Sequence, residues 1–299
     1  MSSPIIEKLR KEIEGIEQTA EKREIGTVIE VGDGIARIGG LSNVALQEMI
    51  EFETSSGPVS GVAFNLEEDN VGAIILGDYL KVKEGDRVTH GGRILSIRVG
   101  DELVGRVVNP LGEPVDGKGP IFASGTESEA VYNPVERTAP SVVDRSPVNT
   151  PLHTGLKAID AIIPIGRGQR ELIIGDRAVG KTSIVLDTIV NQQNDTRYRT
   201  PICIYVAIGQ KQSKIATAIA ALEAKGAMKY TIVVSAPASA PASLRYLAPY
   251  AASAIAEYFM YKGEDALVII EDFGERADFF LRPEDIRVGV GCDLAFDVI

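Results

Sequence analysis

An α/β domain with a mostly parallel sheet, preceded by a short N-terminal helix and a small β-barrel, is the fold class that this 299-residue sequence predicts. Three observations carry it. Short β-branched runs punctuated by glycine fill 25–96. Buried-type apolar runs of strand length alternate with helix-length segments after residue 170. A glycine-rich turn joins the first of those runs to the first of those helices.

Within 1–24, Ile5, Ile6, Leu9, Ile13, Ile16 and Ala20 recur at helical spacing among charged neighbours, which makes one apolar stripe on a short amphipathic helix. From 25 to 96 the runs TVIEV, GIARI, GVAFNL, VGAIIL and GRILSI are too short for helices, and their turn residues predict a closed or nearly closed barrel. The segment that follows, to about residue 151, is dense in turn formers (NPLGEPVDGKGP, then Asn133-Pro134, Ala139-Pro140, Ser146-Pro147 and Thr150-Pro151) and is expected to be a connector laid over a surface. Next come the strand ELIIG, a helix from Lys181, the strand PICIYVAIG, a helix at about 213–225, the strand YTIVVSA, a helix at about 244–261 and the strand ALVIIED. Strands that are apolar throughout and separated by helices belong in a parallel sheet covered on both faces. The expected division is therefore 1–24, 25–96 and 97–299.

The composition sets limits. A net charge of -11 argues against a general nucleic-acid surface, since phosphate backbones are bound by basic patches. No stretch reaches the roughly 18 apolar residues of a spanning helix, and no basic amphipathic segment offers membrane binding, so any membrane association is expected to be indirect. Cys203 and Cys292 lack zinc or redox spacing and read as reduced, inert thiols; His90 and His153 stand alone and read as packing or surface residues.

The chemistry lies in the turn. Gly175, Asp176, Arg177, Ala178, Val179, Gly180, Lys181 and Thr182 fit G-x-x-x-x-G-K-[ST] between an apolar strand and a helix, the setting that this phosphate-cradling motif requires. Its glycines let successive N–H groups and the helix N-terminus face an anion; Lys181 would reach the outer phosphates of ATP or ADP and the Thr182 hydroxyl would ligate Mg2+. A magnesium site also calls for a carboxylate at the end of a neighbouring strand, and ALVIIED supplies Glu271 and Asp272, either of which could serve. Hydrolysis needs a group to orient or deprotonate water. At the end of the next strand stands Gln210, a carboxamide that can orient water but cannot accept a proton.

GLKAIDAIIPIGRGQRELIIGDRAVGKT at 155–182 and CIYVAIGQK at 203–211 closely resemble the alpha subunits of the F-type ATP synthase family. So do GDGIARIGGL at 32–41, GRVVNPLGEPVDGKGP at 105–120, and EYF with GEDAL near 257–267. The resemblance implies an N-terminal helix, a barrel crown, and a RecA-like P-loop nucleotide-binding domain. It also implies a helical C-terminal domain, which is expected to be absent here. It implies a noncatalytic nucleotide site, because Gln210 and the GDR opening resemble alpha rather than beta subunits. Implied partners are the beta subunit in an alternating hexamer, the central-shaft gamma subunit, and the peripheral-stalk delta subunit through the N-terminal helix. The implied location is peripheral, on the cytoplasmic side of a bacterial plasma membrane. The sequence departs from the family pattern at Ala178-Val179, where the family usually has Gln-Thr, and at Glu271-Asp272-Phe273-Gly274-Glu275, where it has YDDLSK. From 276 to 299 no family motif is evident, and a fragment or an altered reading of a longer gene is expected. Two further readings compete. A self-contained motor or secretion-type ATPase would favour Glu at position 210, and a nucleic-acid translocase would favour a basic, aromatic-rich barrel face.

Overall fold

The computed structural model describes residues 24–271, apart from 124, 126–129, 139–142, 144–146 and 177–178, together with 294–298. The predicted N-terminal helix, its proposed docking stripe and Cys292 lie outside the described residues.

Six strands, β1 (Ile25–Gly32), β2 (Ile35–Gly39), β3 (Glu48–Thr54), β4 (Gly57–Leu66), β5 (Val71–Ile75) and β6 (Arg87–Ile94), form a closed antiparallel barrel in the order β1-β2-β5-β4-β3-β6. Closure leaves no strand edge unpaired. The alternation read from the sequence is borne out: Ile50 and Phe52, Val71, Ala73 and Ile75, and Ala36 and Ile38 point into a shared core. The tight β1–β2 hairpin has positive φ at both Asp33 (50°) and Gly34 (82°), a geometry suited to an aspartate–glycine pair. Gly61 marks the closest approach across the barrel wall. A Cβ there would lie 2.5 Å from Phe52 Cε2 and 3.0 Å from the Ile74 carbonyl oxygen, which is backbone and cannot give way. Gly61→Ala is expected to destabilise the protein by about 1–3 kcal/mol, read as a lower urea midpoint at unchanged slope.

Beyond the barrel, β7 (Ser96–Val99) pairs with β9 (Val131–Pro134). The intervening β8 (Val107–Val108) does not stay in the connector. It joins the main sheet as an edge strand parallel to β14, with Val233 opposite Val107. The rest of the connector approaches the main sheet through β10 (Pro151–Leu152), α1 (Lys157–Ile162) and β11 (Ile165–Gly166), of which β10 and β11 form a two-stranded pair. The remaining elements are β12 (Arg170–Leu172), α2 (Lys181–Asn191), β13 (Ile202–Ile208), α3 (Gln212–Ala224), β14 (Thr231–Ala236), α4 (Ala242–Tyr261), β15 (Ala266–Glu271) and β16 (Leu294–Val298).

The six strands of this sheet run in the order β12-β16-β15-β13-β14-β8, and the predicted mostly parallel sheet is borne out. Only β16 runs against the others, pairing with β12 on one side and β15 on the other. Residues 294–298, from the stretch that matched no motif in sequence, thus fill the slot between the strand before the glycine-rich turn and the strand that ends at Glu271. Alternate residues of the central strands serve opposite faces. Ile204, Val206, Val234, Val268 and Ile270 meet α4, whereas Cys203, Tyr205, Ala207, Leu267 and Ile269 meet Val185, Ile189, Ile215 and Leu222 of α2 and α3. Two-sided burial is why these strands read as unbroken apolar runs.

Helix α4 lies close on the sheet because Ala248, Ala251, Ala252, Ala254 and Ala256 leave it thin on that side. It tolerates Pro249 in its interior, and the Ser253 hydroxyl donates to the Pro249 carbonyl at 2.9 Å. Ser243 at its start donates to the Ile75 carbonyl of β5 at 2.8 Å, which ties the helix to the barrel. No helix among the described residues is long and apolar enough to cross a membrane. His90 and His153 each hydrogen-bond a carboxylate, Glu48 and Asp195, at 2.6 Å. Cys203 is buried and free, and burial pushes its thiol pKa well up.

Candidate functional site

Strand β12 ends at Leu172 and α2 begins at Lys181, so residues 173–180 make the turn at the C-terminal end of the sheet, where parallel α/β domains bind ligands. Gly180 precedes the first turn of α2 with φ 99° and ψ 11°, a left-handed conformation that glycine adopts at little cost and other residues do not. Its effect is to turn the chain so that the opening N–H groups of an 11-residue helix face outward. The Lys181 ammonium reaches back to the carbonyl oxygens of Gly175 and, at 3.2 Å, Asp176, so the loop curls around it. Val179 is exposed on the loop rim. Arg177 and Ala178 lie outside the described residues.

Glu271, the last residue of β15, is almost fully buried, and three donors converge on it. Thr182 Oγ1 and Lys214 Nζ donate to Oε1, the latter at 3.0 Å, and the Tyr205 hydroxyl donates to Oε2. Parallel pairing aligns Tyr205 with Ile269 and Ala207 with Glu271. With a side-chain period of two, Tyr205 and Glu271 therefore project from the same face of the sheet. Lys214 comes from the first turn of α3 and is half exposed. Burial pushes the Glu271 pKa up. The hydrogen bonds from Thr182, Tyr205 and Lys214, aided by the lysine charge, outweigh burial and hold it below the ordinary glutamate range. Glu271 is thus an anion at neutral pH.

Gln210 stands two residues past the end of β13, after Gly209. It is 4% exposed, and neither Oε1 nor Nε2 of its carboxamide has a hydrogen-bond partner. Its backbone carbonyl is engaged, accepting from Ala238 N at 2.9 Å. Buried amides are nearly always satisfied within the fold, so an amide with both ends open at the C-terminal edge of the sheet is suited to an incoming polar ligand.

The donor set fits a magnesium nucleotide. Thr182 offers a hydroxyl and Glu271 an ionised carboxylate, both hard oxygen ligands, placed against each other at the start of α2. Among the described residues no cluster of three or more His, Cys, Asp or Glu side chains could hold a metal. One carboxylate beside a phosphate-binding loop is nonetheless the usual magnesium arrangement, because phosphates and water complete the shell. Of the two candidate carboxylates, Glu271 is the one placed against Thr182; Asp272 lies outside the described residues. The sequence did not single out Tyr205 or Lys214. The signal for Tyr205 was present as a lone hydroxyl in an apolar strand, two residues out of step with an acidic strand end. For Lys214 there was none without the α3–β15 packing.

Comparison with known protein families gives two matches. The model described as ATP synthase alpha/beta family, nucleotide-binding domain, matches residues 155–278. The one described as ATP synthase alpha/beta family, beta-barrel domain, matches 21–92. The first match runs from just before α1 to beyond β15 and leaves out β8 and β16; the second covers nearly all of the barrel.

Proposed function

We propose, from the premise that this chain belongs to the ATP synthase alpha/beta family, that it is a regulatory, noncatalytic alpha-type subunit. It would hold a magnesium nucleotide at 175–182 and support ATP synthesis at neighbouring beta subunits. The observation that carries this reading is Gln210. Two residues past β13, the neighbour of β15 in the sheet, stands a buried carboxamide with both ends open, which can bind and orient but has no accessible pKa for proton abstraction. In this reading Lys181 and the opening N–H groups of α2 hold the phosphates, and Thr182 with Glu271 holds Mg2+, which neutralises phosphate charge when bound. The alternating hexamer with beta subunits, contact with a gamma shaft, attachment to a delta subunit through the N-terminal helix, and peripheral placement on the cytoplasmic side of a bacterial plasma membrane belong to the same proposal.

The test is a purified chain titrated with a fluorescent ATP analogue and assayed for phosphate release. Binding is expected with turnover below about 0.01 s⁻¹, against about 10 s⁻¹ for a median enzyme. Turnover near the latter value, lost on Lys181→Ala, would support the self-contained motor ATPase instead. Co-expression with a cognate beta subunit is expected to yield an ATP-hydrolysing hexamer.

Gln210→Leu separates a ligand-directed amide from a structural one. No intramolecular hydrogen bond is lost, so the melting temperature of the ligand-free protein is expected to stay level or rise, by up to about 1 kcal/mol of stability. Nucleotide affinity is expected to fall about tenfold. A drop in ligand-free stability with unchanged affinity would reverse the assignment.

A further inference from the structure

The Glu271 carboxylate already carries a cation. Lys214 Nζ sits 3.0 Å from Oε1, the same oxygen that accepts from Thr182. A metal that used Thr182 and Glu271 together would approach this oxygen, and it would meet an ammonium there. The two ends of the lysine contact differ sharply in environment. Glu271 is 3% exposed in its side chain and fixed by Tyr205, whereas Lys214 is 50% exposed, on a long stem at the start of a helix. The carboxylate therefore stays and the lysine is free to leave. Moving it into water costs little, because a half-exposed ammonium recovers its hydration, while the buried carboxylate cannot be left without a positive partner.

We propose that Lys214 is a tethered counter-cation that holds the Glu271 position until magnesium nucleotide displaces it, and that it thereby sets how strongly nucleotide binding at this loop depends on the metal. This rests on the proposed nucleotide site and deepens it. Two cations at one carboxylate oxygen repel each other, so binding exchanges one for the other. With Lys214 in place the carboxylate is satisfied and Mg2+ gains less by entering. With a neutral residue of the same shape, Mg2+ would meet a buried anion that has lost its lysine and would gain more.

The test uses the full chain and a fluorescent ATP analogue, titrated in excess Mg2+ and again in EDTA, for wild type, Lys214→Met and Lys214→Arg. The quantity read is the ratio of the two affinities. Lys214→Met is expected to raise that ratio about fivefold over wild type, between the effects of exposed and buried charge pairs. Lys214→Arg, which keeps the charge, is expected to leave it within about twofold. A ratio in Lys214→Met equal to that of wild type would overturn the inference, as would wild-type binding indifferent to Mg2+. Absence of nucleotide binding by wild type under both conditions would instead overturn the proposed site itself. A second measurement needs no variant. Acetylation of Lys214 by an amine-reactive ester, followed by mass spectrometry with Lys211 and Lys225 as internal references, is expected to speed up about threefold or more on adding magnesium nucleotide, as the ammonium leaves the carboxylate. Unchanged or slower modification would count against displacement.

Discussion

Replacing Lys181 by alanine is expected to reduce nucleotide affinity at least about 100-fold, while the protein remains folded. The loop curls around this ammonium through the carbonyl oxygens of Gly175 and Asp176. In the proposed complex its ammonium would exchange those neutral acceptors for phosphate oxygens. Charge-assisted hydrogen bonds of that kind are worth about 1.5–3 kcal/mol each, so two of them account for the expected loss. The stability cost should be below about 1 kcal/mol, because the carbonyl oxygens that it leaves lie at the loop surface and can turn to water. Lys181→Arg should recover only part of the affinity, since the planar fork is longer and does not act as a point charge. Titration with a fluorescent nucleotide beside a thermal melt checks both halves. Binding within tenfold of wild type would show that the loop's N–H groups suffice.

The largest stability effect is expected at Asp116, far from the nucleotide loop in sequence. Its carboxylate accepts from Arg106 Nε at 2.7 Å and Nη2 at 3.0 Å, from Val107 N at 3.2 Å and from Lys118 N at 3.0 Å. The side chains are 14% and 5% exposed for Arg106 and Asp116 respectively. Asp116→Ala leaves the largely buried Arg106 guanidinium with only the Gly119 and Pro120 carbonyl oxygens as acceptors, and the Val107 and Lys118 N–H groups without the carboxylate, and about 3 kcal/mol should be lost, read as a lower urea midpoint. Arg106 is the first cause holding the Asp116 pKa far below the ordinary aspartate range. It outweighs burial, and the backbone donors Lys118 and Val107 assist. A carboxylate whose folded pKa is depressed contributes its full stability above its unfolded value, near 3.9, and loses it as pH falls from there toward the folded value. The stability gap between wild type and Asp116→Asn should therefore be level from about pH 5 to 7 and narrow steadily below about pH 4. A gap unchanged at pH 2.5 would show that the ion pair contributes no linked protonation.

The barrel, the mostly parallel sheet, α3 and α4 were legible in sequence because their signals are local: glycine-punctuated β-branched runs, two-sided apolar strands, helical spacing. The glycine-rich turn was legible because its motif spaces the residues of the loop itself. β8 was not, since Val107 and Val108 sit in a turn-rich stretch. Nothing local marks them as strand; their pairing is dictated by Val233 and Val234, more than a hundred residues later. β16 was not legible either. Its segment has no clean period, and its place is set by the slot between β12 and β15. At the site, the chemistry of each residue could be read but the choice between Glu271 and Asp272 could not, because it depends on which side of β15 faces α2. Gln210 was visible as a carboxamide. Its burial with both ends open is a property of packing.

β8 also bears on the order of events during synthesis. Its partner β14 leaves the ribosome about 125 residues later, which at about 5–20 residues per second is a delay of roughly 6–25 s. The barrel, whose strands all fall within 25–94, can close in that interval, whereas the 107–108 segment has no strand to dock on. Arg106 and Asp116, ten residues apart, are both present from the outset and can hold this short piece in shape until β14 arrives. The ion pair would then act first on the nascent chain, as a local clasp that keeps two valines ready for a long-range contact whose closure is among the slow steps of folding.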